Sequence, residues 1–428
     1  MREQIPVVTA FVHSAGRIAL IKRSRQVGTY RGAWAAFSGY LEQMPLEQAY
    51  TELLEEAGIS SSDIALQGIG VPLPVDDAKE NCSWLVLPFL FALREGAEIR
   101  TDWEASEWRW YRPDDLADLQ MVPGLADALR RVWPPIGDAQ FWAELGALAT
   151  DKSEGATELA RKGLQALGGY VQDRSESIDH ETLVRSIRAF AACRPTMGVF
   201  PDLAARLLLA IEREPGLFDF DALVTELLGM VNDATDLSID NAAREIEGRS
   251  RILTLSCSEV VRRALMKWRH GDSEVFVAES LPGGEGVTLT ERLRGEGINV
   301  RLIRDNEIAA VAGVVDAVIV GCDAVTAGSE IVNKVGTSAA VASAQDAGVP
   351  RYSIAQTFKI VPPDWPFFLE QWAGAGVSGH SDHVRMGTVI FDATPISAFT
   401  SVITEEGLLT PDRLAEIRAE LASVELVP

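Results

Sequence analysis

The chain predicts an α/β protein in three regions, and three patterns carry that prediction. From residue 249 onward, short β-branched apolar runs alternate with helical segments. Between 137 and 248, alanine and leucine recur at helical spacing with no clear strand. Before 133, apolar strands surround one strong helix. A strand–helix–strand rhythm builds a parallel sheet covered by helices on both faces, whereas helical spacing alone builds a helical subdomain.

In the first region, residues 1–133, strands are expected over 7–12, 18–21 and 85–92, with a helix from Leu46 to Ala57. The Pro134-Pro135 pair closes this region, because paired prolines break helices and mark linkers. In the second region, 137–248, the stretches LAARLLLAIE and FDALVTELLGMV read as amphipathic or buried helices. In the third, 249–428, ILTLS, VFVAE, VRLIR, AVIVG and YSIA read as strands. EVVRRALMKW, LTERLRGEG, NEIAAVAG and NKVGTSAAVASAQDAG read as the intervening helices. Right-handed crossovers then leave a crevice at the carboxyl ends of the strands, where open sheets bind ligands.

Composition bounds the function. A formal charge of −23 over 428 residues disfavours nucleic acid and anionic membrane surfaces as partners. No uncharged apolar run reaches the roughly 18 residues a spanning helix needs. The N-terminus reads as a first strand and not as a signal peptide. Cys82, Cys193, Cys257 and Cys322 are scattered without metal spacing, which fits a reducing cytoplasm as the expected location.

Two constellations carry chemistry. In AVIVGCDAVTAGSEIVNKVGT, residues 317–337, an apolar run ends at Gly321 and Asp323 follows at the strand end. Asn333 and Lys334 open the next helical pattern and add donors where a helix dipole favours anions. The segment reads as half of a pocket for a small phosphorylated ligand. In the first region, Glu52, Glu55 and Glu56 stand at i, i+3 and i+4 and share one helix face. Three carboxylates repel one another, and a divalent cation relieves them. Oxygen ligands suit Mg²⁺ or Mn²⁺, which would hold a pyrophosphate and activate water. A solvated acidic face is the alternative reading of the glutamates alone.

The residues around that helix resemble a known signature. Gly39-Tyr-Leu-Glu42, followed by Glu52-Leu-Leu-Glu-Glu-Ala-Gly-Ile59, resembles the Nudix hydrolase motif. The stretch from Trp103 to Leu116 is similar to the strand and turn that close such domains. The resemblance covers about 5–132. It implies an α/β/α sandwich, Mg²⁺ or Mn²⁺ at Glu52, Glu55 and Glu56, and hydrolysis or sensing of a nucleoside diphosphate derivative. The signature's Arg falls on Thr51 and its first Glu on Gln43, and the stretch from Gly39 to Gly58 is shorter than the motif.

The remainder resembles the family of initiation factor 2B α/β/δ subunits, methylthioribose-1-phosphate isomerase and ribose-1,5-bisphosphate isomerase. The matching pieces, in order, are Gly155-Ala156, Arg194-Pro-Thr196, Ile252 to Ser258, Glu279-Ser-Leu-Pro-Gly-Gly-Glu-Gly286, Asp323, Asn333-Lys-Val-Gly-Thr337 and Phe391-Asp-Ala-Thr-Pro395. Ile403-Thr-Glu-Glu-Gly407 matches the family's tail. The resemblance implies a Rossmann-like domain that binds and isomerises an aldose 1-phosphate, with no cofactor, in a homodimer or larger homo-oligomer. It assigns proton shuttling to Asp323 and a cysteine. Straight alignment puts Ser256 at the cysteine position, and a loop shift would bring Cys257 there. Arg194, Ser256, Glu285, Asn333 and Lys334 would contact substrate. Leu281, Glu154 and Glu285 stand where the isomerases have Arg, Arg and Gln. The alternative is a non-catalytic regulatory or ligand-sensing protein. His380 and His383 read as a loop pair, and Lys359 as a pocket or solvated residue.

Overall fold

The computed structural model describes residues 4–175, 177–213, 219–373 and 387–428. His380 and His383 lie outside the described residues. The N-terminal elements are β1 (Gln4–Ser14), β2 (Arg17–Arg23), β3 (Trp34–Ala35), β4 (Phe37–Tyr40), α1 (Pro45–Ala57), β5 (Ile64–Ile69), β6 (Leu73–Asp77), β7 (Cys82–Leu93), β8 (Ala105–Tyr111) and α2 (Leu125–Arg130). The eight strands form one mixed sheet along the path β3-β2-β1-β7-β5, with β4 on β1, β6 on β7 and β8 on β2. Strands β1 and β7 run parallel from Gln4 opposite Ser83 to His13 opposite Ala92.

Alternation along β1 explains the layers. Val8, Ala10 and Val12 pack with Leu46, Ala49 and Leu53 of α1. Phe11 packs on the opposite face with Leu125, Ala128 and Leu129 of α2. Successive side chains of a strand point to opposite faces, so one strand feeds both layers. Helix α1 begins at Pro45, whose fixed φ suits the first helical position. It ends at Gly58, at φ 64°, whose amide donates to the Leu54 carbonyl.

Five helices follow: α3 (Ala139–Thr150), α4 (Ala156–Gln172), α5 (His180–Cys193), α6 (Val199–Arg213) and α7 (Phe220–Glu245). Asp138, Asp179 and Asp219 cap α3, α5 and α7 by accepting backbone N–H bonds. Helix α3 joins this bundle to the first sheet. Gly146 faces Leu66 and Leu46, and Lys152 pairs with Glu47 of α1 at 2.8 Å.

The third region contains β9 (Arg251–Leu255), α8 (Glu259–Trp268), β10 (Glu274–Ala278), α9 (Glu285–Gly295), β11 (Asn299–Ile303), α10 (Ile308–Ala312), β12 (Ala317–Val320), β13 (Ala324–Val325), β14 (Glu330–Lys334), α11 (Thr337–Asp346), β15 (Arg351–Ile354), β16 (Gln371–Ala373), β17 (Gly387–Val389), β18 (Phe391–Pro395), β19 (Ser401–Thr404), β20 (Gly407–Leu408) and α12 (Pro411–Leu421). Its main sheet has the order β11-β10-β9-β12-β15-β19-β20, parallel except for β20. Helices α8 and α9 cover one face through Val261, Leu265, Leu289 and Leu293. Helix α11 covers the other through Ala340, Val341 and Ala344. The α/β class and the Rossmann-like arrangement expected from the sequence are both present.

One expected helix is shorter than the sequence pattern. Asn333 and Lys334 belong to β14, in a small antiparallel sheet with β13 and β18, where they face Asp392 and Phe391. The chain reverses at Gly336, at φ 101°. The amides of Gly336 and Ser338 then donate to the Asp392 carboxylate. The α11 N-terminus expected to face a ligand is therefore already capped by a carboxylate of the protein itself. No helix among the described residues is long and apolar enough to cross a membrane.

Candidate functional site

The glutamate helix α1 opens onto a cleft of about 910 Å³ bounded by the loop after β2, by β4 and by Trp103 and Glu104. Its three glutamates are not equivalent. Glu56 is buried, Glu52 half-buried and Glu55 exposed. Burial, and then the charges of Glu52 and Glu104, push the Glu56 carboxyl up to about 9. Burial pushes Glu52 in the same direction, with Glu55, Glu104 and Glu42 adding to it and a Gln48 hydrogen bond opposing. Gln48 Nε2 donates to Glu52 Oε1 at 2.6 Å. The Glu52 carboxylate packs against Gly39 of β4, in the space a Cβ would take.

The two departures from the Nudix motif meet in space. Gln43 Nε2 donates to Thr51 Oγ1 at 2.7 Å. Where the motif has an Arg and a Glu, this chain has a neutral hydrogen-bonded pair. The pair ties the loop before α1 to the helix without a charge.

In the third region, the loops after β9 and β10 are held together. The Ser256 amide donates to Ser280 Oγ at 2.7 Å. The amides of Ser280 and Leu281 donate to the two carboxylate oxygens of Asp305, each at 2.8 Å. Both serines have left-handed backbones, Ser256 at φ 65° and Ser280 at φ 63°. Beside them, Asp323 follows β12 and is fixed through its backbone. Its amide donates to the Val332 carbonyl at 2.8 Å, and its carbonyl accepts from Gly198 at 3.0 Å. A Cβ at Gly198 would collide with the Lys359 carbonyl, so the Arg194–Gly198 loop reaches Asp323 only as glycine.

Burial pushes the Asp323 carboxyl up, while Lys359, Lys334 and Arg194 pull it down and Glu370 adds to the rise. These groups share one region. Lys334 is buried, paired with Glu285, and lies 5.8 Å from the centroid of the Phe391 ring. Asn333 Nδ2 donates to Thr337 Oγ1 at 2.9 Å. Arg194 Nη1 donates to the Asp151 carbonyl at 2.7 Å, which spends part of the guanidinium on the end of α3. Burial pushes the Cys257 thiol up and the Cys322 thiol up to about 12. A reactive thiolate needs the opposite shift. Cys257 packs against the apolar cluster beneath α8 and α9.

Leu281 is exposed. Glu154 pairs with Lys162 at 2.5 Å beside a groove of about 470 Å³ between α3 and α4.

Several participants escaped sequence reasoning. Glu104 reaches the glutamate helix from the start of β8, and no spacing rule connects them. Glu370 accepts from Thr196 Oγ1 at 2.5 Å, and both side chains are buried. Lys359, by contrast, reads from the sequence as a pocket or solvated residue; its Nζ donates to the Cys322 carbonyl at 2.6 Å, at the Asp323 strand end.

Residues 3–132 match the NUDIX domain family. Domains of this kind generally use Mg²⁺ or Mn²⁺. Among the described residues, no three His, Cys, Asp or Glu side chains are gathered to hold an ion by themselves. Glu52 and Glu56 would supply oxygen donors of the kind such ions take, with water and substrate phosphates completing the set. Burial first, and then neighbouring negative charge, raises both carboxyls, and a cation would favour their ionised forms.

Residues 152–411, more than half of the chain, match the initiation factor 2 subunit family. Relatives include a putative translation initiation factor eIF-2B subunit 2-like protein of Pyrococcus furiosus, 27% identical over 276 residues, covering 63% of this chain and 96% of the relative. The ribose 1,5-bisphosphate isomerase of Methanocaldococcus jannaschii is 27% identical over 270 residues, covering 60% and 87%. The crystal structure of the translation initiation factor eIF-2B of Pyrococcus horikoshii OT3 has the same fold, with a TM-score of 0.55 at 24% identity over 64% of this chain and 98% of that one. The chain carries a NUDIX domain at its N-terminus and belongs, through residues 152–411, to the initiation factor 2 subunit family.

Proposed function

We propose that this protein acts in sugar-phosphate or nucleotide metabolism, with the NUDIX cleft hydrolysing a nucleoside diphosphate derivative and the C-terminal pocket binding a phosphorylated sugar. The observation that carries the first half is the buried Glu56, whose carboxyl rises to about 9 beside Glu52 and Glu104 in an open cleft. Such a group is poorly placed for stability and well placed for a Mg²⁺-bound pyrophosphate. In the second half, Asp323 faces three cationic groups at the carboxyl end of a parallel sheet. A pyrophosphate bond cut in a nucleotide sugar releases a sugar phosphate, the class of ligand the second pocket would take. The functional divisions would fall near residues 133–137 and 248–249, and copies would pair through the C-terminal region.

Isomerisation of an aldose 1-phosphate is supported by the raised Asp323 carboxyl, which suits a proton carrier between adjacent carbons. The non-catalytic alternative is supported by Ser256 at the thiol position and by the raised Cys257 thiol. Ketose formation from ribose 1,5-bisphosphate and methylthioribose 1-phosphate, followed by NMR, separates the two. Turnover abolished by Asp323→Asn favours the isomerase. No turnover with either sugar, together with measurable binding, favours the sensor.

A further inference from the structure

The groove between α3 and α4 is lined neither by the NUDIX glutamates nor by Asp323 and Lys334. Its volume of about 470 Å³ is that of a small-molecule pocket. Its lining runs from Glu154, just before α4, to Tyr170 and Arg174 at the far end of that helix. At 1.5 Å per residue, Ala156 to Tyr170 alone spans roughly 21 Å, so the space is a long slot.

The slot carries surplus negative charge. Asp138, Glu144, Asp151, Glu154 and Asp173 line it against two cations, Lys162 and Arg174. Lys162 is spent on Glu154 at 2.5 Å. Arg174 is spent on Asp138 and on the Tyr170 ring, 4.8 Å from its centroid. Glu144, Asp151 and Asp173 form no ion pair among the described residues.

Two polar groups are also left without partners, one towards each end of α4. Glu154 Oε2 is buried and accepts no hydrogen bond among the described residues. Tyr170 is only 6% exposed and stacks on Phe141 with centroids 4.5 Å apart. It lines the slot, and its hydroxyl has no hydrogen-bond partner among the described residues. Leaving a buried acceptor unmet is costly, and a ligand donor relieves it. Between these ends lie the buried apolar side chains of Leu148, Leu159 and Ala166. A phosphorylated ligand is repelled by the surplus carboxylates, and a bare divalent ion leaves the apolar surface uncovered. A linear chain of methylenes with ammonium groups at intervals matches the length, the charge and the apolar middle together.

We propose that this slot binds a linear aliphatic polyamine, extended along α4, with one ammonium donating to Glu154 Oε2 and its methylenes lying on Leu148, Leu159 and Ala166. A second ammonium donates to the Tyr170 hydroxyl beside Asp173.

Calorimetric titration of the full-length protein with spermine tests it, in excess Mg²⁺ to fill the carboxylate cleft and at about 0.15 M salt to screen surface attraction. Wild type should bind one spermine per chain. Glu144→Gln/Glu154→Gln should weaken binding at least tenfold. Glu291→Gln/Asp346→Asn removes as much charge from exposed positions on α9 and α11 and should change it less than twofold. Gly169→Leu separates shape from charge. Gly169 lines the slot, is exposed, and a Cβ there meets nothing within 4 Å. Leucine suits the helix, keeps the charge and fills the slot, so spermine affinity should fall at least tenfold. Equal losses from the two acid pairs, or an affinity unmoved by Gly169→Leu, overturn the proposal in favour of attraction to an acidic surface. No binding by wild type, or tighter binding of amidated trilysine, which carries the same charge, also overturns it. These wild-type results decide the matter even where a variant does not fold.

Discussion

Replacing Glu56 with glutamine isolates the electrostatic cost built into the NUDIX cleft. The folded protein holds the Glu56 proton up to about pH 9, against an ordinary value of 4.5. The folded state therefore binds more protons than the unfolded state between these values. Stability from this group is fully present below about pH 4.5 and is lost as pH rises towards 9. One proton corresponds to about 1.4 kcal/mol per pH unit, so raising pH from 6 to 8 removes up to ~2.7 kcal/mol. Relaxation and water entry reduce that figure, and about half of it is the working expectation. Glutamine keeps the shape and the neutral form without the titration. Urea unfolding of the full-length protein in EDTA, at pH 6 and pH 8, should show wild type losing at least ~1 kcal/mol more than Glu56→Gln between the two conditions. Mg²⁺ at pH 8 should restore part of the loss in wild type alone. Identical pH dependence in the two proteins would refute the reasoning.

Three further outcomes follow from the geometry. Asp392→Ala removes the carboxylate that caps α11 through Gly336 and Ser338, and denaturant unfolding should show a loss of about 1–2 kcal/mol. Gly198→Ala places a methyl group against the Lys359 carbonyl and Ala324. It should destabilise by about 1–3 kcal/mol and weaken ligand binding beside Asp323, read by unfolding and calorimetry. Gln43 and Thr51 should be coupled through their 2.7 Å hydrogen bond, with a double-mutant cycle of alanine changes giving about 0.5–1 kcal/mol.

Local pattern made much of this architecture readable. Strand β12 was legible because four buried apolar residues end at a glycine, and α1 because Pro45, its apolar spacing and Gly58 all agree. Periodicity failed at Asn333 and Lys334, where the helical pattern continues backwards through a glycine that in fact reverses the chain. The decisive register is the pairing of β14 with β18, set by residues some sixty positions away in the chain. The Glu285–Lys334 pair was hidden for the same reason, since the two are 49 residues apart. Sequence reading identified both residues as pocket candidates, but only packing shows that each cancels the other's charge. Glu370 lies outside every recognisable motif, and Glu104, although inside the Trp103–Leu116 stretch, carries no signal of its place beside α1; both enter their sites through tertiary structure.

The central claim is that the carboxylate cleft is a working metal-dependent hydrolytic site. Its most direct test is ³¹P NMR of the full-length protein with ADP-ribose and a panel of nucleotide sugars, in Mg²⁺ and in EDTA. The account predicts Mg²⁺-dependent cleavage of the pyrophosphate in at least one of these compounds, lost in the Glu55→Gln/Glu56→Gln double variant. Cleavage that survives the double variant, or no cleavage of any compound by folded wild type in Mg²⁺, would contradict it.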